Sequence, residues 1–397
     1  MSCPSQRLTS SSYEYIKWLE SLVDTTNPDF LHADKHNECE IVGIDIGVGA
    51  SCIYPLLGCA SHPAWRFHGT EVDSKSIEYA RNNVSLNGLS CRISLHKIDD
   101  ADEPLLPLDS LDIPRADFTM CNPPFYTSQT DMQATHLNKK RPPSAVCSGA
   151  EVEMITEGGD FGFVMRILEE SRRLQDRVQW YSSMLGKLSS ATQLVEKLKE
   201  YGISNYAVTN LQAGNVTKRW AVAWSFGDMR PTKVSTGTTC CNMIMLNTKQ
   251  DVARRNVLIK QLLPLTTEVK TPFLVEHRPR VSKLIDNLLS SMDLQWNWDV
   301  GTQSGICIAA DNVWSRSARR KRQKLAADDL DSTPHIKIKQ KVEQGLCVKI
   351  LIEQDSVNVR WLKGRDAMLY ESFCGMIRRC ISNTPMDEVC PKNLQSA

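Results

Sequence analysis

No apolar stretch in this 397-residue chain approaches the roughly eighteen residues that a membrane-spanning helix needs. Met1–Ser10 lacks the charged-then-apolar pattern of a secretory leader, so neither secretion nor membrane insertion is expected. The fourteen cysteines include no Cys-x-x-Cys pair, and no histidine spacing makes a metal site. They read as reduced intracellular thiols, and no metal is expected. Internal repeats are absent. Net charge is almost absent too, at +1, but it hides local clusters of basic residues. A hydrophobic content of 41% is ordinary for globular protein, and the length leaves room for two or three domains.

What is present is more specific. The apolar run Asp117–Cys121 leads into Asn122-Pro123-Pro124-Phe125. A carboxamide oxygen at Asn122 and a neighbouring backbone carbonyl, that of Pro123, are two acceptors suited to the two hydrogens of a planar amino group. The prolines fix φ and donate nothing, so they stiffen such a clamp without competing for its acceptors. Phe125 adds a ring on which a flat base can stack, worth about 1–3 kcal/mol in comparable sites. Alone, the same letters describe a strand end followed by a proline turn.

Upstream, the β-branched run through Ile41–Ile46 reads as a buried parallel strand that breaks into Gly47-Val48-Gly49. Glycines there let backbone approach a ligand at the start of the next helix. A third glycine and a phosphate-binding lysine are both missing, which disfavours NAD and ATP. A second strand over 66–72 brings Glu71 to a strand end, where a carboxylate can take two ribose hydroxyls. Each element is weak alone, and the three in this order are strong.

Together they resemble a class I methyltransferase that uses S-adenosylmethionine. Gly43–Gly58, Thr70–Asp73, Met120–Phe125, Arg141–Pro143, Glu157–Gly159, Trp180–Lys187 and Arg219–Phe226 resemble the methyltransferase-like protein 16 family. Its members methylate an adenosine of U6 small nuclear RNA and are related to bacterial enzymes acting on large-subunit ribosomal RNA. The match covers about residues 13–227. It implies an α/β Rossmann-like fold with a doubly wound, mostly parallel sheet, S-adenosylmethionine as cofactor and structured RNA as partner. Gly47, Gly49 and Ser51 would hold the methionine end of the cofactor through backbone amides and the serine hydroxyl. Arg7 is the candidate for its carboxylate, although Thr9–Ser12 disturbs the spacing. Asp102, with Asp100 as the alternative, would lie near the adenine. Asn122, Pro123, Pro124 and Phe125 would form the catalytic clamp, and Lys140, Arg141, Lys187 and Arg219 would contact RNA. Val48 stands where relatives have threonine, a harmless change if backbone does the work there. Relatives also carry a sizeable module before the segment seen here as Tyr15-Ile16-Lys17-Trp18, where this chain has fourteen residues. Either the chain is a shortened form or it holds RNA less tightly.

The pattern predicts strands at 40–47, 66–72, 92–98, 117–122, 178–185, 205–211 and 219–226, with helices at 13–23, 52–59, 74–87, 160–176 and 189–201. Ser74 is the expected cap of the third helix. Residues 1–12 read as a short leading segment, 13–227 as the methyltransferase domain and 228–239 as a linker. Residues 240–397 read as a smaller α+β domain interrupted near 311–334 by a basic disordered loop. Within it, strands are expected at Met243–Leu246, Ile306–Ala309, His335–Val342, Leu346–Glu353 and Val357–Trp361, and helices at 280–291 and Ala367–Ile381. Six of nine residues in Arg316–Lys324 are basic with no aromatic among them, which favours a nuclear address over an RNA footprint. The expected location is the nucleus, with the cytoplasm as a second site, and the expected state a monomer. Two alternatives stand beside this reading. A protein glutamine methyltransferase uses the same clamp on a planar amide, and an RNA-binding splicing factor would carry the domain as a relic.

Overall fold

The β-branched run Ile41–Ile46 forms β1 at the heart of a seven-stranded sheet. The computed structural model describes residues 4–27, 40–99, 104–128, 155–213, 217–233, 262–318, 320 and 345–383. The chain divides into two units, Met1–Leu265 and Thr266–Ala397.

In the first unit β1 lies between β2 (Trp65–Glu71) and β4 (Ala116–Cys121), parallel to both. β3 (Ile93–Lys97) and β5 (Val178–Leu185) extend the parallel set. β7 (Thr217–Ser225) then runs antiparallel between β5 and β6 (Asn205–Ala213), giving the order β3-β2-β1-β4-β5-β7-β6. This is the doubly wound, mostly parallel sheet expected from the sequence.

Helices cover both faces. On one side α1 (Pro4–Thr25), α2 (Ile53–Ser61) and α3 (Ser74–Leu86) bury Tyr15, Ile16, Leu19, Cys59, Ala80 and Val84 against Phe67, Phe118 and Trp180. On the other, α4 (Gly159–Leu174) and α5 (Leu188–Glu200) bury Val164, Ile167, Leu194 and Leu198 against Tyr181, Val222 and Trp224. Each large apolar side chain removed from water contributes roughly 1.5–3 kcal/mol. α1 is anchored at its far end, where Thr26 Oγ1 accepts a hydrogen bond from Trp180 Nε1 at 2.9 Å.

Several expectations need correction. Residues 4–12 are the first turns of α1 rather than a separate leading segment. The cap of α3 is Asp73, whose carboxylate accepts from Ser76 N at 2.7 Å, and Ser74 begins the helix proper. The described part of the expected linker packs down, because the buried Arg230 donates to the Ser204 carbonyl and hydroxyl. Leu262 is fully buried in the first unit's core and Tyr206 donates to Leu263 O, so that unit runs on to 265.

The second unit is a five-stranded antiparallel sheet in the order β8-β12-β11-β10-β9. Its strands are β8 (Glu268–Pro272), β9 (Gln295–Asp299), β10 (Ser304–Ala309), β11 (Leu346–Ile352) and β12 (Ser356–Lys363). α6 (Arg278–Ser290) and α7 (Ala367–Ser382) contribute the buried Ile285, Leu289, Phe373 and Ile377. Tyr370 stacks on Trp361 with ring centroids 4.9 Å apart and donates to Val359 O. β8 and β9 were not expected. Of the basic block, Arg316 and Arg320 are exposed, and residues 316–318 start as helix rather than loop. The strands expected at 243–246 and 335–342, and most of the block itself, lie outside the described residues. Among the described residues no helix is long and apolar enough to cross a membrane.

Candidate active site

Three strand ends meet side by side. Ile46 is opposite Thr70 on β2 and Cys121 on β4, so Gly47, Glu71 and Asn122 follow at one rim of the sheet. The parallel register brings them together, and it puts the rim at the carboxyl ends, where open α/β sheets bind ligands.

The β1–β2 half of the rim is closed and rigid. Gly47 and Gly49 have φ of 72° and 61°, a left-handed turn that other residues adopt only with strain. Nothing lies within 4 Å of the position a Cβ would occupy on either, so the turn exposes bare backbone. Gly47 N and Val48 N both donate to Thr70 O, at 3.0 and 2.9 Å, and Gly49 N donates to Glu71 Oε2 at 2.8 Å. All three of these amides are engaged within the turn itself. Ser51 is exposed beside them. Glu71 is almost wholly buried, and its other oxygen accepts from Val72 N and Asp73 N at 2.8 and 2.9 Å. Three amides thus aim its carboxylate.

The β4–β5–β7 half is open. Asn122 is exposed, and its carboxamide has no hydrogen-bond partner among the described residues. Pro123 is buried, while Pro124 and Phe125 are half-buried. The Arg219 guanidinium lies over the Phe125 ring, 4.3 Å from its centroid. Beside the ring stands Gly186, where a Cβ would fall 2.9 Å from Phe125 Cδ1, so only glycine permits this approach. Gly186 is itself fixed by the buried Asp160, which accepts from Gly186 N at 2.7 Å and from Ser190 Oγ at 2.9 Å. Lys187 follows, exposed at the start of α5. The chain after the clamp is tied to the start of α4 by Thr156 N donating to Tyr126 O. From α1, the buried Tyr15 hydroxyl contacts Ser182 Oγ at 2.7 Å, and Cys121 N reaches it at 3.5 Å, one residue before Asn122.

The structure thus brings Gly47, Gly49, Ser51, Glu71, Asn122, Pro123, Pro124, Phe125, Lys187 and Arg219 to one end of one unit. Arg7 is on α1, but its side chain lies outside the described residues, as do Asp100, Asp102, Lys140 and Arg141. Sequence reading missed Asp45, Tyr15 and Asp160. For Asp45 the signal was present, as one acid inside an apolar strand.

A family model described as RNA methyltransferase matches residues 3–228. The U6 small nuclear RNA (adenine-(43)-N(6))-methyltransferase of Schizosaccharomyces pombe is 33% identical over 380 residues, 92% of this chain and 84% of that protein. The RNA N(6)-adenosine-methyltransferase METTL16 of Homo sapiens is 41% identical over 219 residues, 54% of this chain. The match spans 37% of that longer relative. Among solved structures, the hMettl16 catalytic domain in complex with MAT2A 3'UTR hairpin 1 is 40% identical over 54% of this chain and 69% of that one, with a TM-score of 0.46.

Proposed function

This chain belongs to the RNA methyltransferase family, and from that premise we propose that it methylates N6 of an adenosine in a structured RNA, U6 small nuclear RNA foremost. The resemblance carried by the Gly43–Gly58 and Met120–Phe125 motifs is borne out by the family match. Support for the adenine comes from the exposed amide of Asn122 beside a ring that can stack a base.

The residues present fit S-adenosylmethionine. A bare glycine turn and a pre-aimed carboxylate at Glu71 line one half of the rim, and the buried Asp45, whose carboxylate has no hydrogen-bond partner among the described residues, stands two residues before the turn. When bound, the cofactor supplies an electrophilic methyl group on a sulfonium. Glu71, aimed by its three amides, would take the ribose hydroxyls. The Asn122 oxygen and the Pro123 carbonyl each accept one hydrogen of the target amine, which localises the nitrogen lone pair. Phe125 stacks on the flipped-out base on the ring face away from Arg219, and Lys187 and Arg219 meet phosphates. The oriented amine would take up that methyl group and then lose its proton to water, so no strong base is required of the protein. Alignment of this kind contributes roughly 7–11 kcal/mol. One chain suffices, since every residue named comes from the first unit, and we take the active form to be a monomer. The exposed Arg316 and Arg320 are consistent with a nuclear address.

Tritiated S-adenosylmethionine offered with total RNA, with protein extract and with neither tests the reading. Label in a small RNA of U6 length supports it. Label only in protein favours glutamine methylation, and label in neither favours the relic reading.

A further inference from the structure

The ladder between β4 and β5 stops short of the clamp. Its register pairs Ala116 with Val178 and Phe118 with Trp180. The next rung would join Met120 to Ser182, with Ser182 N donating to Thr119 O and Cys121 N to Ser182 O. Side chains stand in for that rung. Ser182 N donates to Thr119 Oγ1 at 3.1 Å, and Ser182 Oγ donates to Thr119 O at 2.6 Å. Cys121 N donates to the hydroxyl of Tyr15, which reaches in from α1, at 3.5 Å. On its other side β4 keeps a regular ladder, since β1 pairs with it as far as Ile46 and Cys121. The strand that ends at Asn122 is therefore tied by backbone along one edge and by three hydroxyls along the other.

The direction of each bond follows from counting hydrogens. Ser182 has one hydroxyl hydrogen and gives it to Thr119 O, so in its 2.7 Å contact with Tyr15 it accepts and the phenol donates. The Tyr15 oxygen then keeps its lone pairs for Cys121 N. A relay results, from Cys121 N through Tyr15 and Ser182 to Thr119 O, leaving β4 at one residue and returning to it two residues earlier. Hydrogen bonds in such a chain polarise one another, so losing one weakens the rest. Tyr15, Thr119 and Ser182 are completely buried. The Tyr15 ring is held edge-on to Tyr54 and stacked beside Trp18, with centroids 5.9 and 6.2 Å away. Burial pushes the phenol well up, so it keeps the proton that the relay needs.

We propose that Tyr15 is a positioning residue for methyl transfer: its hydroxyl replaces the missing rung and sets where β4 delivers Asn122 and the Pro123 carbonyl. This rests on the functional reading above and deepens it, because it ties the aim of the clamp to α1. The long bond from Cys121 N is of the kind that tightens when a site fills. A misplacement of about 1 Å at the reacting groups can cost roughly 10²-fold in rate. Loss of one tie among three on that edge should cost less.

Tyr15→Phe keeps the buried ring and deletes only the hydroxyl. With the full chain, a transcribed U6 hairpin and S-adenosylmethionine, it should lower kcat about tenfold. KM for the hairpin, and affinity for S-adenosylhomocysteine by calorimetry, should stay within about twofold, which also shows that the variant is folded. Ser182→Ala breaks the same relay from β5 and should cost as much, and the double variant should be no worse than either single one. In an Asn122→Ala background, Tyr15→Phe should lower the single-turnover rate by at most about twofold more, because it acts through the clamp. A role in stability alone would lower Tm without this pattern. A kcat for Tyr15→Phe within about twofold of the unaltered chain overturns the inference alone. So does a loss that appears in cofactor affinity, or a tenfold loss that persists in Asn122→Ala. Should Tyr15→Phe fail to bind S-adenosylhomocysteine, Ser182→Ala carries the same test with the same outcomes. An unaltered chain that methylates no RNA overturns the functional reading and this inference with it.

Discussion

The two halves of the rim are built on opposite principles. At the ends of β1 and β2 the turn's three amides at 47–49 are engaged, Glu71 is clamped by three donors, and Asp45 is sealed from water. At the ends of β4, β5 and β7 an exposed amide, without a partner among the described residues, stands beside a half-buried ring and a guanidinium. The closed half suits a ligand met in one fixed pose every cycle. The open half suits a large partner that delivers one base and leaves. Damage to the two should therefore separate, with binding lost on one side and turnover on the other.

The largest expected effect is on the open side. Asn122→Ala should lower kcat by roughly 10²–10³-fold, comparable to loss of one pre-organised hydrogen-bonding group. Affinity for S-adenosylhomocysteine should stay within a few-fold, because the amide acts on the substrate amine. Activity within a few-fold of the unaltered chain would remove Asn122 from its role.

On the closed side, Glu71→Ala should weaken S-adenosylhomocysteine binding by 1.5–3 kcal/mol, about 10–100-fold. Calorimetry showing equal affinity would mean that another acid takes the ribose. Between these, Asp160→Ala tests the support of the ring. It strands Gly186 N, at a cost of about 1–3 kcal/mol, and should lower Tm by several degrees. It should also raise KM for RNA more than it lowers cofactor affinity, and an effect confined to cofactor binding would blur the division between the halves.

How much of this was legible beforehand follows from the same physics. The central strands announce themselves because they are buried on both faces and read as apolar runs, as Ile41–Ile46 and Ala116–Cys121 do. β9 (Gln-Trp-Asn-Trp-Asp) and β8 (Glu-Val-Lys-Thr-Pro) are the two edges of the second sheet, polar at alternate positions, and so passed for loop. Glu71 and Asn122 were found because strand ends are marked by a change of composition. Asp45 was overlooked because the run around it is apolar, though the lone acid within that run was the clue. Which donors the glycine turn has free depends on Thr70 O and Glu71, partners that only the register supplies.

Smaller effects sharpen the contrast further. Asp45 has a raised carboxyl, so between the ordinary carboxylate range and about 8 the folded chain binds a proton that the unfolded chain does not. The empty chain should lose stability as pH rises through that window, and Asp45→Asn should flatten the slope. Denaturant midpoints measured at several pH values would show it, and parallel slopes for the two proteins would contradict it. Least of all should the rim notice the basic block. Neutralising Arg319, Arg320, Lys321 and Arg322 should move a fluorescent fusion toward the cytoplasm with little change in RNA affinity, whereas unaltered location with a shallower salt dependence would make the block an RNA contact.

The central claim is that the open half presents an adenosine amine to the closed half's cofactor, and nucleoside mass spectrometry tests it most directly. A transcribed U6 hairpin is incubated with S-adenosylmethionine and the full chain, then digested and measured for N6-methyladenosine. The account predicts near one modified adenosine per hairpin with the unaltered protein, and almost none with an Asn122→Ala variant that still binds S-adenosylhomocysteine. Methylation on another base or on ribose, or equal yields from the two proteins, would contradict it.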